Sequence, residues 1–132
     1  MEKQRIPLAY LAVGFTLIAI VVYYLFLPSN FEVVGYHKKQ MTNGSNFRVY
    51  SVAVKSFQDS QSFWDKMKSF GDEQMFTNGG QTIVYFFNGK NNTPNVSTTG
   101  ISFDKKYEPY CLAVYRKTTG KPVAFNKHPF EN

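Results

Sequence analysis

Three neighbouring stretches decide the fold: FRVYSVAVKSF (Phe47 to Phe57), QSFWDKMKSF (Gln61 to Phe70) and TIVYFF (Thr82 to Phe87). The first alternates with the period of two that marks a strand, and its face with Tyr50, Val52 and Val54 is the more apolar. In the second, Phe63, Trp64, Met67 and Phe70 fall at the i, i+1, i+4, i+7 spacing of one helical stripe, while Asp65, Lys66, Lys68 and Ser69 fall opposite. Asp59 or Ser60 would supply the N-cap and Gly71 the stop. The third stretch is continuously apolar, as in a central strand covered on both faces. Strand, helix and strand in this order predict a βαβ unit with a right-handed crossover.

Working outward, Phe31 to His37 reads as a short strand, joined through the turn-rich Gln40 to Asn46. Downstream, Asn88 to Gly100 (NGKNNTPNVSTTG) holds one apolar residue, Val96. It is expected to be a surface loop, too polar to support a core and long enough to be mobile or used for contact. Tyr110 to Arg116, a Lys117 to Lys121 turn and Pro122 to Phe125 make a β-hairpin pattern. The fold class is therefore α+β. Residues 28–132 are expected to form a sheet of four or five strands with one main helix on one face, a βαβ unit followed by a C-terminal β-hairpin.

The chain before this domain is different in kind. From Ile6 to Leu27 no residue is charged, and as a helix the run would rise about 33 Å, enough for a hydrocarbon core of roughly 30 Å. Pro7 and Pro28 mark its ends, and Tyr10, Tyr23, Tyr24 and Phe26 lie near them. A cleaved secretory signal would be shorter and would end in a small-x-small site, which LFLPSN lacks. Lys3 and Arg5 precede the run, whereas the ten residues after it carry only Glu32; Lys38 and Lys39 pull the other way. The expectation is a single-pass signal anchor over 6–27, with residues 1–5 cytoplasmic and the domain periplasmic or extracellular.

Catalytic groups are sparse. His37 and His128 are the only histidines and Cys111 the only cysteine, with none of the spacings of a zinc site. A lone cysteine in an apolar strand is ordinarily an inert core residue. Asp59, Asp65, Asp72 and Glu73 border the helix, and nothing in their spacing demands a common cleft; Asp72 and Glu73 are expected in solvent. Asn78-Gly79-Gly80 precedes a strand instead of opening a helix, so it is no phosphate cradle. The expectation is a non-enzyme, without cofactor, metal or small-molecule substrate.

Charge and aromatics carry the remaining signal. The whole chain has a net charge of +6 and 17% aromatic residues, more rings than so small a core can hide. Lys105, Lys106, Tyr107, Tyr110, Arg116 and Phe130, with Tyr36, are the candidate partner-binding residues. The tail NKHPFEN (Asn126 to Asn132), with Phe130 flanked by polar residues, has the look of a docking segment. VAVKSF (Val52 to Phe57), followed by a helix and Lys68-Ser69-Phe70-Gly71, is similar to the first half of the sporulation-related repeat domains of bacterial cell-division proteins. The resemblance covers about 35 residues and implies binding of denuded peptidoglycan glycans from a membrane tether; the second half departs, since Asn88 to Gly100 stands where a second helix belongs. The function expected is a membrane-anchored accessory or structural subunit of a larger membrane complex, of secretion, conjugation or energy-transducing type. The alternative is a tethered module for cell-wall glycan or another anionic ligand. The bilayer, through 6–27, and other subunits are the expected partners; nucleic acid is not.

Overall fold

The computed structural model describes residues 7–26, 29–42, 44–74, 79–97 and 102–131, with side chains of the first helix described to residue 22. Its elements are α1 (Leu8–Phe26), β1 (Phe31–Gln40), β2 (Asn46–Val54), α2 (Gln61–Glu73), β3 (Gly80–Asn88), β4 (Cys111–Thr118) and β5 (Ala124–Lys127). Short 3-10 segments lie at Lys90–Asn92 and Lys105–Tyr110. The strands form one five-stranded sheet in chain order, β1-β2-β3-β4-β5. Only β2 and β3 are parallel, joined through α2; the other pairs are antiparallel. The α+β class, the strand-helix-strand unit and the C-terminal hairpin are all present.

Ser60 caps α2, its Oγ accepting from the Phe63 amide, while Asp59 accepts instead from Trp64 Nε1 at 2.9 Å. The buried face of α2, Phe63, Trp64 and Met67, meets Val52, Val84 and Phe86 of the sheet. The strand expected to reach Phe57 ends at Val54, because Ser56 adopts φ 55° and turns the chain. Phe57 then packs edge-on against Phe63 and Trp64 at 5.4 and 5.2 Å.

Gly71 does not stop the helix, which continues to Glu73. It is buried, and a Cβ there would lie 2.5 Å from the Tyr115 ring. Its role is close approach of α2 to β4. Asp72, expected to meet only solvent, accepts a hydrogen bond from the Tyr115 hydroxyl at 2.5 Å. Burial first, then this carboxylate, raise the pKa of Tyr115 and keep its hydroxyl a donor.

The loop expectation for Asn88 to Gly100 needs correction. Thr93, Pro94 and Val96 are buried, and Val96 joins Val49, Ile83, Phe87, Cys111 and Val114 in a second core on the sheet face opposite α2. One apolar side chain suffices there because Phe103 and Tyr107, further along the same connection, complete the cover. Residues 98–101 lie outside the described residues. Both faces of β3 are thus covered, one by a helix and one by irregular chain.

The helix expected over 6–27 is described as a shorter element. α1 has 19 residues, and Ile6 and Leu27 of the expected segment, with Pro28 after it, lie outside the described residues. Among the described residues no helix is long and apolar enough to cross a membrane. Residues 1–5, expected to be cytoplasmic, are likewise outside them.

Alanine at Gly71 sets a gain in helix propensity of about 1 kcal/mol against a clash with a fully buried ring, and overpacking costs about 1–3 kcal/mol. Gly71→Ala is therefore expected to lower the urea midpoint, whereas an unchanged or raised midpoint would show that Tyr115 can yield. Glu32, at the start of β1, pairs with Lys90 at 3.0 Å and Lys55 at 3.6 Å. Lys90 foremost holds its carboxyl below the ordinary 4.5. A depressed folded pKa means a contribution present above the unfolded value and lost as pH falls through the folded one. The stability difference between the parent and Glu32→Gln is expected to shrink as urea titrations move from about pH 6 to about pH 3.

Candidate interaction surface

β1 would ordinarily present alternate residues to opposite faces of the sheet. A bulge between Val33 and Gly35 breaks the alternation: Val33 pairs with Val52, Gly35 with Ser51 and Tyr36 with Tyr50. Val33 and Tyr36, three residues apart, therefore both lie on the α2 face, since Val52 and Tyr50 pack with the core beneath α2. Neither is covered, with 45% and 37% of their surfaces exposed. The Tyr36 and Tyr50 rings stand 4.8 Å apart, and the Arg48 guanidinium lies 6.0 Å from the Tyr36 ring. Burial, and then Tyr36, raise the pKa of Tyr50, while Arg48 draws it down.

Directly across from Arg48 is Lys38. Like charges opposite one another in a sheet oppose folding. The next partner in the row is Thr82, followed by Lys117 on β4.

The bulge is held from outside the sheet. Ser97 Oγ accepts from the Tyr36 amide at 3.0 Å, and the Ser97 carbonyl lies 3.3 Å from His37 Nδ1. Asn95 Oδ1 accepts from the Ser97 amide and fixes the turn. A Cβ at Gly35 would lie 2.5 Å from the Val96 nitrogen and 2.7 Å from both Asn95 Oδ1 and Ser51 Oγ. Gly35 is thus the position at which the 93–97 segment reaches β1. The Ser51 hydroxyl is fully buried there and has no hydrogen-bond partner among the described residues.

The candidate residues named from the sequence divide between locations. Tyr36 is part of the β1-β2 patch. Lys105, Lys106, Tyr107 and Tyr110 occupy the 3-10 segment that leads into β4. That segment lies at the end of the sheet where Phe31, Val54, Asn88, Cys111 and Lys127 align and where the chain arrives from α1. Lys106 Nζ is 5.1 Å from the Tyr107 ring centroid, and Tyr107 is half-buried against the second core. Tyr110 is exposed. Phe130 is 40% exposed but rests edge-on against Phe103 at 5.9 Å, so the tail is partly docked. Arg116, opposite Ile83, lies on the second face beside Tyr85, whose pKa burial raises and Arg116 lowers.

Val33, Lys38, Arg48 and Tyr50 escape a reading by composition. The signal available was Gly35, because glycine inside a strand marks a bulge or a close backbone approach. Burial pushes the Cys111 thiol up to about 12, as suits an inert core residue. His37 is on β1 and His128 follows β5, at opposite edges of the sheet, with the His128 ring against Trp64 at 5.6 Å. Among the described residues no group of three or more His, Cys, Asp or Glu side chains could hold a metal ion.

Alanine at Gly35 is expected to displace the 93–97 segment and release the Tyr36 amide from Ser97. Hydrogen exchange should then accelerate at Tyr36 while the β3 amides stay protected, and stability should fall by about 1–3 kcal/mol. Unchanged exchange at Tyr36 would show that the contact does not hold the bulge.

No protein-family model matches the chain, and neither does any curated protein or solved structure.

Proposed function

We propose that the protein is a membrane-anchored, non-catalytic subunit that holds a partner in a larger membrane assembly through its α+β domain. One observation carries this reading. From Pro7 to Val22 every described residue of the N-terminal segment except Gly14 is exposed, including Leu8 at 84% and Phe15 at 72%. No described side chain of α1 belongs to either core of the sheet. The hydroxyl near its middle, on Thr16, donates back to the Ala12 carbonyl at 2.9 Å. A helix with apolar residues on all sides requires an apolar surrounding, from lipid or from other helices. The uncharged sequence runs beyond the described side chains to Leu27, which favours lipid, and the bias of Lys3 and Arg5 favours a cytoplasmic N-terminus with the domain on the other side.

Anchoring confines the domain to the membrane plane and raises its effective concentration toward a membrane-bound partner. Exposed Tyr36, Tyr110 and Phe130 are of the type enriched at protein interfaces. Lys106 over Tyr107 favours a second reading, a tethered module for cell-wall glycan or another anionic ligand.

The test is alkaline carbonate extraction of membranes carrying the full chain. The parent is expected in the pellet. Ile18→Lys, which places a charge costing about 2.5–3.5 kcal/mol at the centre of the helix, is expected to move a substantial fraction to the supernatant. A parent found wholly in the supernatant would end the proposal.

A further inference from the structure

The chain passes from α1 to the sheet with little slack. Asn30 is already fastened to the domain, its carbonyl accepting from the Lys55 amide at 2.8 Å and its Nδ2 donating to the Lys55 carbonyl at 3.0 Å. Phe26, the last residue of α1, lies four positions earlier, and even a fully extended link of that length reaches only about 14 Å. The polar layer on each side of a hydrocarbon core is itself roughly 5–8 Å deep. With α1 in lipid, the end of the sheet that begins at Phe31 is therefore held close to the headgroups.

Rings are exposed at that same end. Tyr110 closes the 3-10 segment leading into β4 and is 44% exposed, and Phe130, just past β5, is 40% exposed. Phe130 rests on Phe103, which rests in turn on Phe87, and Phe87 pairs with Cys111 at the start of β4. Charge there is offset: Lys55 and Lys90 both face Glu32, and Asp104 and Glu108 adjoin Lys105 and Lys106 in the 3-10 segment. Lys39, Lys117 and Lys121 belong to the opposite end, where Gln40, Asn46 and Gly80 align. Exposed rings beside lysines that can extend their amines into water are suited to a membrane–water interface, and the offset charge means that anionic lipid is not required.

We infer that the domain sits on the bilayer that holds α1, with Tyr110 and Phe130 entering the headgroup layer and the strands standing away from the membrane. The inference rests on the anchor proposed above. Among the exposed aromatics it leaves Tyr36 to the partner protein. The eight residues of β4 rise about 23 Å, so the end bearing Lys117 and Lys121 faces away from the membrane.

The experiment uses the full chain reconstituted in phosphatidylcholine vesicles that carry a nitroxide on a fraction of their headgroups. Cys111 is buried, so a thiol-reactive fluorophore can be directed to one added cysteine at a time: Lys105→Cys or Glu131→Cys near the two rings, Lys39→Cys or Lys121→Cys at the far end. Strong quenching is expected at 105 and 131 and little at 39 and 121, unchanged in high salt because the contact is not ionic. Adding Tyr110→Ser with Phe130→Ser is expected to remove most of the quenching at 105 and 131, with thermal melts confirming that the domain stays folded. That pair of substitutions separates seating from mere closeness, since a domain that only hangs on its link would be quenched equally with or without the rings. The inference is overturned if near and far positions are quenched alike, if the folded double variant is quenched as the parent is, or if quenching requires phosphatidylglycerol and disappears with salt. Flotation of the vesicles reports on the anchor separately: a chain that floats but is not quenched at 105 and 131 would reject the seat and keep the tether, whereas a chain that fails to float would reject both.

Discussion

The central strand has two apolar faces, and among the described residues of the domain one α-helix is there to cover them. Phe86 lies beneath α2, while the adjacent Phe87 points to the opposite core. Burying a side chain of this size contributes about 1.5–3 kcal/mol, so neither face can be left to water in a chain this short. The second face is closed by the connection between β3 and β4, which contributes Val96, Phe103 and Tyr107 in place of a second helix. Much of the remaining architecture follows from that solution. The connection has to cross the sheet to reach β1, Gly35 provides the clearance, and the resulting bulge turns Val33 and Tyr36 to the same side.

The helix-covered half was legible because its signals are local and periodic. Phe63, Trp64 and Met67 repeat with the pitch of a helix, Tyr50, Val52 and Val54 with that of a strand, and the continuous TIVYFF run is central as its lack of alternation implies. Gly71 was misread because two physical requirements, a helix stop and a close helix-strand contact, select the same residue. Only the position of Tyr115, far along the chain, distinguishes them.

The other half was illegible for a different reason. Polar content marks Asn88 to Gly100 as loop, and over the described residues 89–97 the chain forms no strand or α-helix, with Thr93 Oγ1 and Asn92 Nδ2 bonded back to the Gly89 and Asn88 carbonyls. Its burial arises from long-range contacts that periodicity does not encode. Composition likewise picked out the basic-aromatic run Lys105 to Tyr110, where the residues adjoin in sequence, but not Lys38 beside Arg48 or Tyr36 beside Tyr50, which adjoin only through strand pairing. The N-terminal segment was legible as an apolar helix, and its unshared surface is the feature on which the proposed tether rests.

Among the described residues, the strap over the second face meets β1 through the polar contacts of Ser97 and the Glu32–Lys90 pair. Lifting it would leave every rung between the five strands intact. Were it to lift, Val49, Ile83 and Val114 would meet water while the α2 side kept its own separate core. In a crowded compartment such an opened form would be sticky on one side and native on the other, the kind of surface that chaperones and proteases engage.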